Sequence, residues 1–227
     1  MMRKLICITV LFLNALAEVP SQQEREYIMK LHSELREEVD PPASNMLMLS
    51  YSSELEKLAG SWMATCNPTI PDTTQHPEYN DLGHVIKIGA INRTLRFEDL
   101  SSVKEEKPNF DSGAGTCKGW CYNYKQVIWA NATEIGCARH RCLLGGINEN
   151  YFYFVACLYR PTKNHLDTWP YERGVSCSKC PEGYICDRKQ CTKQAPQTST
   201  LATTSVSTRN SAFIILNSAM FILLCMA

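Results

Sequence analysis

The chain has 227 residues, of which 23 are basic and 23 acidic, so its formal net charge is zero. Because there is no basic excess, the composition does not favour a nucleic-acid-binding protein, or a protein held on anionic lipid by charge. Its twelve cysteines are instead typical of a secreted protein that is stabilised by disulfides.

The N-terminal segment has the pattern of a secretory signal peptide. Arg3 and Lys4 precede an apolar run over residues 5–13, and Ala15 and Ala17 are small residues that suit cleavage after position 17. This run is shorter than the roughly 20 apolar residues that span a bilayer. We therefore predict that residues 1–17 are removed and that the mature chain is secreted into an oxidising compartment.

Helices are predicted in four segments. Residues 22–39 carry apolar side chains at helical spacing, and Ser21 with Glu24 predicts an N-terminal capping box. A second amphipathic helix is predicted from Ser53 onward. We also expect a charged surface helix over 97–107 and a short buried helix over 125–130.

Strands are predicted over residues 85–91, 134–142 and 151–159. Nearly every residue of the last segment is apolar or aromatic, which indicates a central strand covered on both faces. Helices must then cover the sheet on both sides. The predicted fold class is therefore α+β.

Ten of the cysteines lie between Cys66 and Cys191. An even number in a secreted chain predicts five disulfides, although spacing alone does not determine how they connect. A metal site that includes Cys180 is the alternative, and it is less consistent with an oxidising compartment. The last four cysteines occur in a stretch too short to form a core, so disulfides must hold that stretch together.

The C-terminal part has the composition of a stalk followed by a lipid-anchor signal. Residues 194–211 are rich in Ser and Thr and contain too little apolar surface to fold. Residues 212–227 form an apolar tail that is short for a membrane span. Small residues such as Ala202 or Ser205, a polar spacer and this tail match a glycosylphosphatidylinositol (GPI) signal, with Ser205 as the predicted attachment site. A short tail-anchored helix and simple secretion are the alternatives.

Two sequons predict N-glycosylation, at Asn92 and at Asn131. Each asparagine has a threonine two residues later and no intervening proline. A signal peptide would give both sites access to the glycosylation machinery.

The sequence shows no motif of a catalytic nucleophile. Patterns such as Gly-x-Ser-x-Gly and His-Glu-x-x-His are absent. His32 and Ser33 are adjacent on a predicted helix, where neighbouring side chains point in different directions. We therefore expect no catalytic residue and no cofactor, and we do not expect an enzyme.

Several short segments of the sequence form a recognisable set: Leu31–Arg36 with Pro42–Met46, Trp62–Cys66, and Asn123–Trp129 with Ile135–Cys137. Together they resemble the CAP superfamily, which includes cysteine-rich secretory proteins, antigen 5 and pathogenesis-related proteins. The first pair resembles the opening of that family, the second segment its tryptophan helix, and the last pair its main signature.

Two further segments, Cys117–Cys121 and Pro170–Pro181, are most similar to the peptidase-inhibitor and glioma-pathogenesis-related branch. The resemblance covers about residues 22–191. It implies a three-layer α-β-α sandwich over 22–165, followed by a small cysteine-rich hinge over 170–191. It also implies the disulfides Cys66–Cys142, Cys137–Cys157, Cys177–Cys186 and Cys180–Cys191, which leaves Cys117 with Cys121.

The cleft of this family holds two histidines and two glutamates, a set that can bind a divalent cation. In this chain the first histidine maps to His76, but His84 stands where a glutamate is expected, and Asn123 replaces the last histidine. We therefore predict a degenerate cleft at His76, His84 and Asn123 with no bound metal. The second glutamate has no secure counterpart among three that we interpret as part of a solvated face: Glu98, Glu105 and Glu106.

These observations favour a binding role at the outer cell surface. We predict a module whose loops, near residues 67–83 and 91–117, bind an unidentified extracellular protein. The alternative that the resemblance implies is a lipid or sterol carrier. Protease inhibition follows only from the name of the branch, and no disulfide-braced inhibitory loop is evident. The apolar residues that would line a lipid pocket are more typical of core: Ile70, Val85, Ile86 and Ile88.

Overall fold

The computed structural model describes residues 17–144, 150–161 and 168–193. The signal segment up to residue 16, the stalk and the apolar tail lie outside the described residues. The predicted anchor at Ser205 lies there too and stays a prediction. Among the residues that are described, no helix is long and apolar enough to cross a membrane.

Three α-helices and two 3₁₀ helices are described along the chain. The predicted capping box is confirmed, because Ser21 Oγ accepts from the N–H of Glu24 while the Glu24 carboxylate accepts from the N–H of Ser21. The helices are α1 (Gln22–Glu37), α2 (Ser53–Ala64), α3 (Tyr122–Val127), a 3₁₀ turn (Pro77–Tyr79) and the long 3₁₀ helix (Phe97–Asn109).

The strands form one central sheet and two small hairpins. They are β1 (Ser50–Tyr51), β2 (Gly83–Ile88), β3 (Phe110–Asp111), β4 (Thr116–Cys117), β5 (Glu134–Leu143), β6 (Tyr151–Arg160), β7 (Tyr184–Asp187) and β8 (Gln190–Lys193).

The central sheet has four strands in the order β1-β5-β6-β2. Strand β1 is parallel to β5, whereas β6 is antiparallel to both of its neighbours. In the register of the sheet, Cys157 of β6 lies between Cys137 of β5 and Val85 of β2. Strand β6 is therefore internal, as predicted from its apolar sequence.

Side chains that alternate along the strands form two cores, one on each face of the sheet. Val155 and Tyr159 belong to the core that includes α1, α3 and the long 3₁₀ helix, whereas Ala156 and Leu158 belong to the core under α2. Because a strand directs successive side chains to opposite faces, this alternation produces the three layers.

The segment predicted as a charged surface helix forms the long 3₁₀ helix. Its buried residues are Phe97, Leu100 and Val103, which follow one another at intervals of three. A 3₁₀ helix has three residues per turn, so this spacing keeps one apolar row against the core. The helix thus packs its apolar row on the core and forms one wall of the domain.

Five disulfides are formed among the described residues, and the hinge packs against the domain. Strand β8 is joined to the segment before β1 by two backbone hydrogen bonds: the N–H of Cys191 donates to Met46 O at 2.6 Å and the N–H of Met48 donates to Cys191 O at 2.9 Å. The pairs are those that the resemblance implies: Cys66–Cys142, Cys117–Cys121, Cys137–Cys157, Cys177–Cys186 and Cys180–Cys191.

Candidate functional site

An open cavity of about 390 Å³ lies between strand β2 and the long 3₁₀ helix, and we call it the cleft. Strand β2 contributes Val85 through Ile88, the 3₁₀ helix contributes residues between Leu100 and Asn109, and Trp120 and Asn123 complete the lining. The cleft thus joins an apolar sheet edge to polar groups of the helix.

Glu106 and Asn123 meet inside the cleft. Asn123 Nδ2 donates to Glu106 Oε1 at 2.7 Å, and the main-chain N–H of Tyr124 donates to Glu106 Oε2 at 3.1 Å. Our interpretation of Glu106 as part of a solvated face therefore needs correction. Two neutral donors at the start of α3 fix this carboxylate, a relationship between residues 17 positions apart that sequence reasoning missed.

Lys87 and Ser102 form the other polar contact of the cleft. Lys87 Nζ donates to Ser102 Oγ, and the same hydroxyl donates its proton to the carbonyl of Asp99 at 2.9 Å. A serine nucleophile needs a base that accepts its proton. In this arrangement Lys87 acts as a donor, so the pair holds β2 against the 3₁₀ helix rather than activating the hydroxyl.

Trp120 lies at the rim of the cleft on a short, braced loop. The Cys117–Cys121 disulfide closes this loop, and Asn109 Nδ2 donates to Trp120 O at 3.0 Å. Trp120 is 63% exposed, and its ring meets that of Tyr122 edge-on with centroids 5.1 Å apart. We refer to Trp120 and Tyr122 as the aromatic platform.

The three residues predicted to share a degenerate cleft are not all brought together. Asn123 lines the cleft, but His76 and His84 are not among its lining residues. His84 packs edge-on against Trp62, with centroids 5.4 Å apart, because the alternation of β2 directs it to the face of α2. His76 is exposed beside Glu78 in the preceding loop. The grouping of these histidines with Asn123 therefore needs correction.

Burial affects the protonation of His84. Its pKa is lowered from the ordinary histidine value because the ring is partly removed from water. Its Nδ1 is buried and has no hydrogen-bond partner among the described residues. His84 thus packs on Trp62 at the face of the sheet opposite the cleft.

The metal site of the family does not fit the residues of this cleft. Asn123 stands where the family has a histidine, and its side-chain amide donates to Oε1 of Glu106. This carboxylate oxygen therefore accepts from an N–H group, whereas in a metal site it would face a cation. Neither His76 nor His84 lines the cavity. The described donor set therefore lacks the imidazoles that such a site requires.

Elsewhere, two groups of side chains have potential ligand atoms within 4.8 Å of one another. One group is Cys66, His140 and Cys142, and the other consists of three cysteines of the hinge. All of these cysteines are in disulfides, so their sulfurs are not thiolate ligands.

A smaller cavity of about 220 Å³ lies between α1 and the turn of the β7–β8 hairpin. Its basic side chains have acidic partners: Arg188 Nη2 lies 3.0 Å from Glu37 Oε2, and Lys30 Nζ lies 3.9 Å from Glu34 Oε1. The first pair connects the hinge to α1, and the second lies within α1. The cleft differs, because Glu105 and Glu106 form no ion pair among the described residues.

The chain is similar in sequence to known proteins. The profile of the cysteine-rich secretory protein (CAP) family matches residues 29–159. Glioma pathogenesis-related protein 1 of Mus musculus is 31% identical over 182 residues, which cover 78% of this chain and 68% of that protein. GLIPR1-like protein 1 of Mus musculus is 34% identical over 186 residues, which cover 78% of this chain and 76% of that protein.

Solved structures show the same fold. NaASP2, solved with Zn²⁺, has a TM-score of 0.60 at 23% identity and matches over 76% of this chain and 96% of its own. Venom allergen-like protein 4 of Schistosoma mansoni has a TM-score of 0.54 at 25% identity. The match covers 71% of this chain and 100% of that protein's chain. Because the family profile matches more than half of the sequence, and the three-layer fold agrees, the chain belongs to the cysteine-rich secretory protein (CAP) family.

Proposed function

We propose that this protein is a non-catalytic extracellular binding module whose partner is a protein that docks on the cleft and the aromatic platform. The observation that carries this proposal is the exposure of Trp120, which stays 63% accessible although its loop is braced. Tryptophan is enriched among the residues that dominate protein–protein binding, because it buries a large area at small entropic cost.

The surroundings of Trp120 support the same proposal. Tyr122 is 39% exposed and Ile88, at the end of β2, is 52% exposed, so apolar groups border a cleft that also holds charged side chains. An apolar centre with polar groups around it is the usual composition of a protein interface. Because the disulfide fixes the loop in advance, little ordering is needed on binding.

The chemistry of the cleft supports a role without catalysis. Among the described residues that line it, Ser102 donates its hydroxyl proton to a main-chain carbonyl. Glu106 is bound to two N–H donors. Neither arrangement supplies a nucleophile with its base.

A lipid or sterol carrier stays the alternative, and the cleft favours it less. The cavity is open, and Lys87, Glu105 and Glu106 are among its lining residues. A site for an apolar ligand is mostly lined by hydrophobic side chains and encloses most of the ligand surface.

The proposed location is the outer cell surface. Five disulfides fit an oxidising extracellular compartment, as do the predicted signal peptide and the two sequons. The GPI anchor at Ser205 is part of this proposal and derives from the sequence of the C-terminal tail.

Proximity labelling on cells that display the full chain tests the proposal. Wild type is compared with Trp120→Ala and with Val175→Ala, which truncates another exposed apolar side chain, in the hinge. A partner should be labelled by wild type and Val175→Ala but lost with Trp120→Ala, and its Kd should rise about 30-fold when Trp120 is truncated.

Two results would contradict this function. One is a set of labelled proteins that does not change when Trp120 is truncated. The other is a stoichiometric lipid extracted from the purified wild-type chain, which would support the carrier instead.

A further inference from the structure

We propose that the cleft recognises an arginine side chain of the partner protein, with Glu106 pairing to the guanidinium and Trp120 lying against its face. This inference rests on the proposed protein-binding function and names the chemistry of the bound group. It depends on three features of the cleft: a fixed carboxylate, an uncompensated charge and an exposed aromatic ring.

The carboxylate of Glu106 is oriented before any partner binds. Asn123 Nδ2 occupies one lone pair of Oε1, and the N–H of Tyr124 occupies one lone pair of Oε2. A carboxylate offers about four acceptor positions, so each oxygen of Glu106 can still accept another hydrogen bond. Both oxygens are therefore available to a forked donor while the side chain is held in place.

The negative charge of Glu106 has no cationic partner. Its two donors are neutral groups, and neither Glu106 nor the neighbouring Glu105 forms an ion pair among the described residues. Lys87 also lines the cleft, but its ammonium group contacts Ser102, a full turn of the 3₁₀ helix before Glu105. The end of the cleft next to Asn123 thus carries uncompensated negative charge and favours a cation.

Trp120 makes arginine a better match than lysine. The exposed indole lines the same cavity as Glu106, so a planar cation held by the carboxylate can lie against the ring. Guanidinium is planar, presents a fork of N–H donors and is weakly hydrated. Lysine offers a compact ammonium that is more strongly hydrated and cannot stack in this way.

The domain already holds one of its own arginines by this combination. Arg25 donates from Nε and Nη2 to the two oxygens of Glu56, at 2.9 and 2.8 Å, and its guanidinium lies over the ring of Tyr51 at 5.3 Å. In the cleft, Glu106 and Trp120 provide the equivalent carboxylate and aromatic groups without an internal arginine.

The test uses the full chain and two peptides, acetyl-Ala-Arg-Ala-amide and the same peptide with citrulline, which has nearly the same shape but no charge. Binding is followed by the NMR signal of the Trp120 indole N–H, which Trp120→Phe identifies. The arginine peptide should shift this signal saturably with a Kd of about 1 mM, and the citrulline peptide should bind at least about tenfold more weakly.

A matched pair of variants locates the charge. Glu106→Gln should weaken binding of the arginine peptide about tenfold, whereas Glu98→Gln, on the same helix but not in the cleft, should leave it unchanged. Equal binding of arginine and citrulline peptides to wild type would overturn the inference without any need for a variant.

The partner found by proximity labelling separates this inference from the proposed function. If Trp120→Ala abolishes partner binding and Glu106→Gln leaves the Kd unchanged, the binding function stands and arginine recognition is wrong. If partner binding survives Trp120→Ala, both are wrong.

Discussion

His32 and Tyr159 form a buried hydrogen bond of 2.7 Å that connects α1 to the central strand β6. His32 Nδ1 lies 2.7 Å from the carbonyl of Ile28, which can only accept, so Nδ1 carries a proton. Burial lowers the pKa of His32, so the ring is neutral near pH 7 and Nε2 accepts from the hydroxyl of Tyr159. Ser33, the next residue, accepts a hydrogen bond from Gln190 of the hinge.

Folding stability should fall in mild acid because of His32. Burial, and to a lesser extent the charge of Arg36, lower its pKa to about 4 in the folded protein, against an ordinary value of 6.5. Between these values the unfolded chain binds the extra proton, so the stabilising contribution is complete above pH 6.5 and is lost as the pH falls towards 4. The full effect is about 3 kcal/mol.

Urea unfolding between pH 4.5 and 7.5 measures this effect. His32→Gln, which can donate to Ile28 and accept from Tyr159 without titrating, should show a shallower loss of stability in acid. The lowered pKa of His84 gives a slope of the same sign in both proteins, so the difference isolates His32. Parallel pH profiles for the two proteins would refute the assignment.

Gly136 should tolerate no side chain. A Cβ atom there would lie 2.2 Å from the backbone N of Glu56 and 2.6 Å from the carbonyl oxygen of Ser52, because the start of α2 lies directly on β5. Gly136→Ala should therefore destabilise the fold by more than about 3 kcal/mol, or prevent secretion altogether.

Gly60 provides the matched control for Gly136. An added Cβ at Gly60 would meet the Cβ of Ala138 at 3.9 Å, which is ordinary contact, and the residue lies inside α2. Gly60→Ala should stabilise the protein by about 0.5–1 kcal/mol, since alanine favours the helix. Thermal unfolding and the secreted yield measure both variants. Equal effects at the two positions would contradict the packing described for Gly136.

Arg36 should be essential to stability, because its buried guanidinium serves backbone carbonyls rather than a carboxylate. Arg36→Met would leave these carbonyls without a donor and should cost about 3–5 kcal/mol, while Arg36→Lys should recover part of the loss. Arg141→Met, at an exposed position, should cost less than about 1 kcal/mol in the same urea titration. The acceptors are Leu47, Val127, Trp129, Ala130 and Ala132. A small effect of Arg36→Met would show that these carbonyls are satisfied in another way.

N-glycans are expected at both sequons, because Asn92 and Asn131 are exposed in the folded domain. Asn92 also bonds to Asn150 and to the backbone of Tyr151, so its substitution would disturb the loop. Thr94→Ala removes that sequon and keeps the asparagine. Thr94→Ala and Asn131→Gln should each remove one N-glycan. Each variant should then migrate faster than wild type on electrophoresis, and this difference should disappear after treatment with a glycosidase. An unchanged pattern for either variant would show that its site is not used.

Phosphatidylinositol-specific phospholipase C should release the full chain from expressing cells. The apolar tail and Ser205 predict a GPI anchor, and Ile215→Arg, which interrupts the tail, should abolish surface display. The measurement is the amount of the protein in the medium before and after the phospholipase is added, and it should rise after the addition. Full secretion without enzyme treatment would exclude the anchor and favour a diffusible protein.

Local patterns predicted much of this fold because they depend on neighbouring residues. The capping box of Ser21 and Glu24 lies within four consecutive residues, and the apolar run of β6 is visible in a single segment. The CAP family followed from motifs of a few residues and the α+β class from the predicted helices and strands, and both are confirmed. The interval of three in Phe97, Leu100 and Val103 was visible in the sequence, but it fits one face of an α-helix as well as the 3₁₀ helix that forms.

The sequence by itself determined the family and the three layers of the fold. Only the tertiary structure decided which side chains come into contact at the cleft. Strand alternation turned His84 towards Trp62 and away from Asn123, and packing of the long 3₁₀ helix on α3 brought Glu106 to that asparagine. Bracing of the Cys117–Cys121 loop left Trp120 exposed at the same cavity. Such relationships depend on register and long-range packing, which no short stretch of sequence contains.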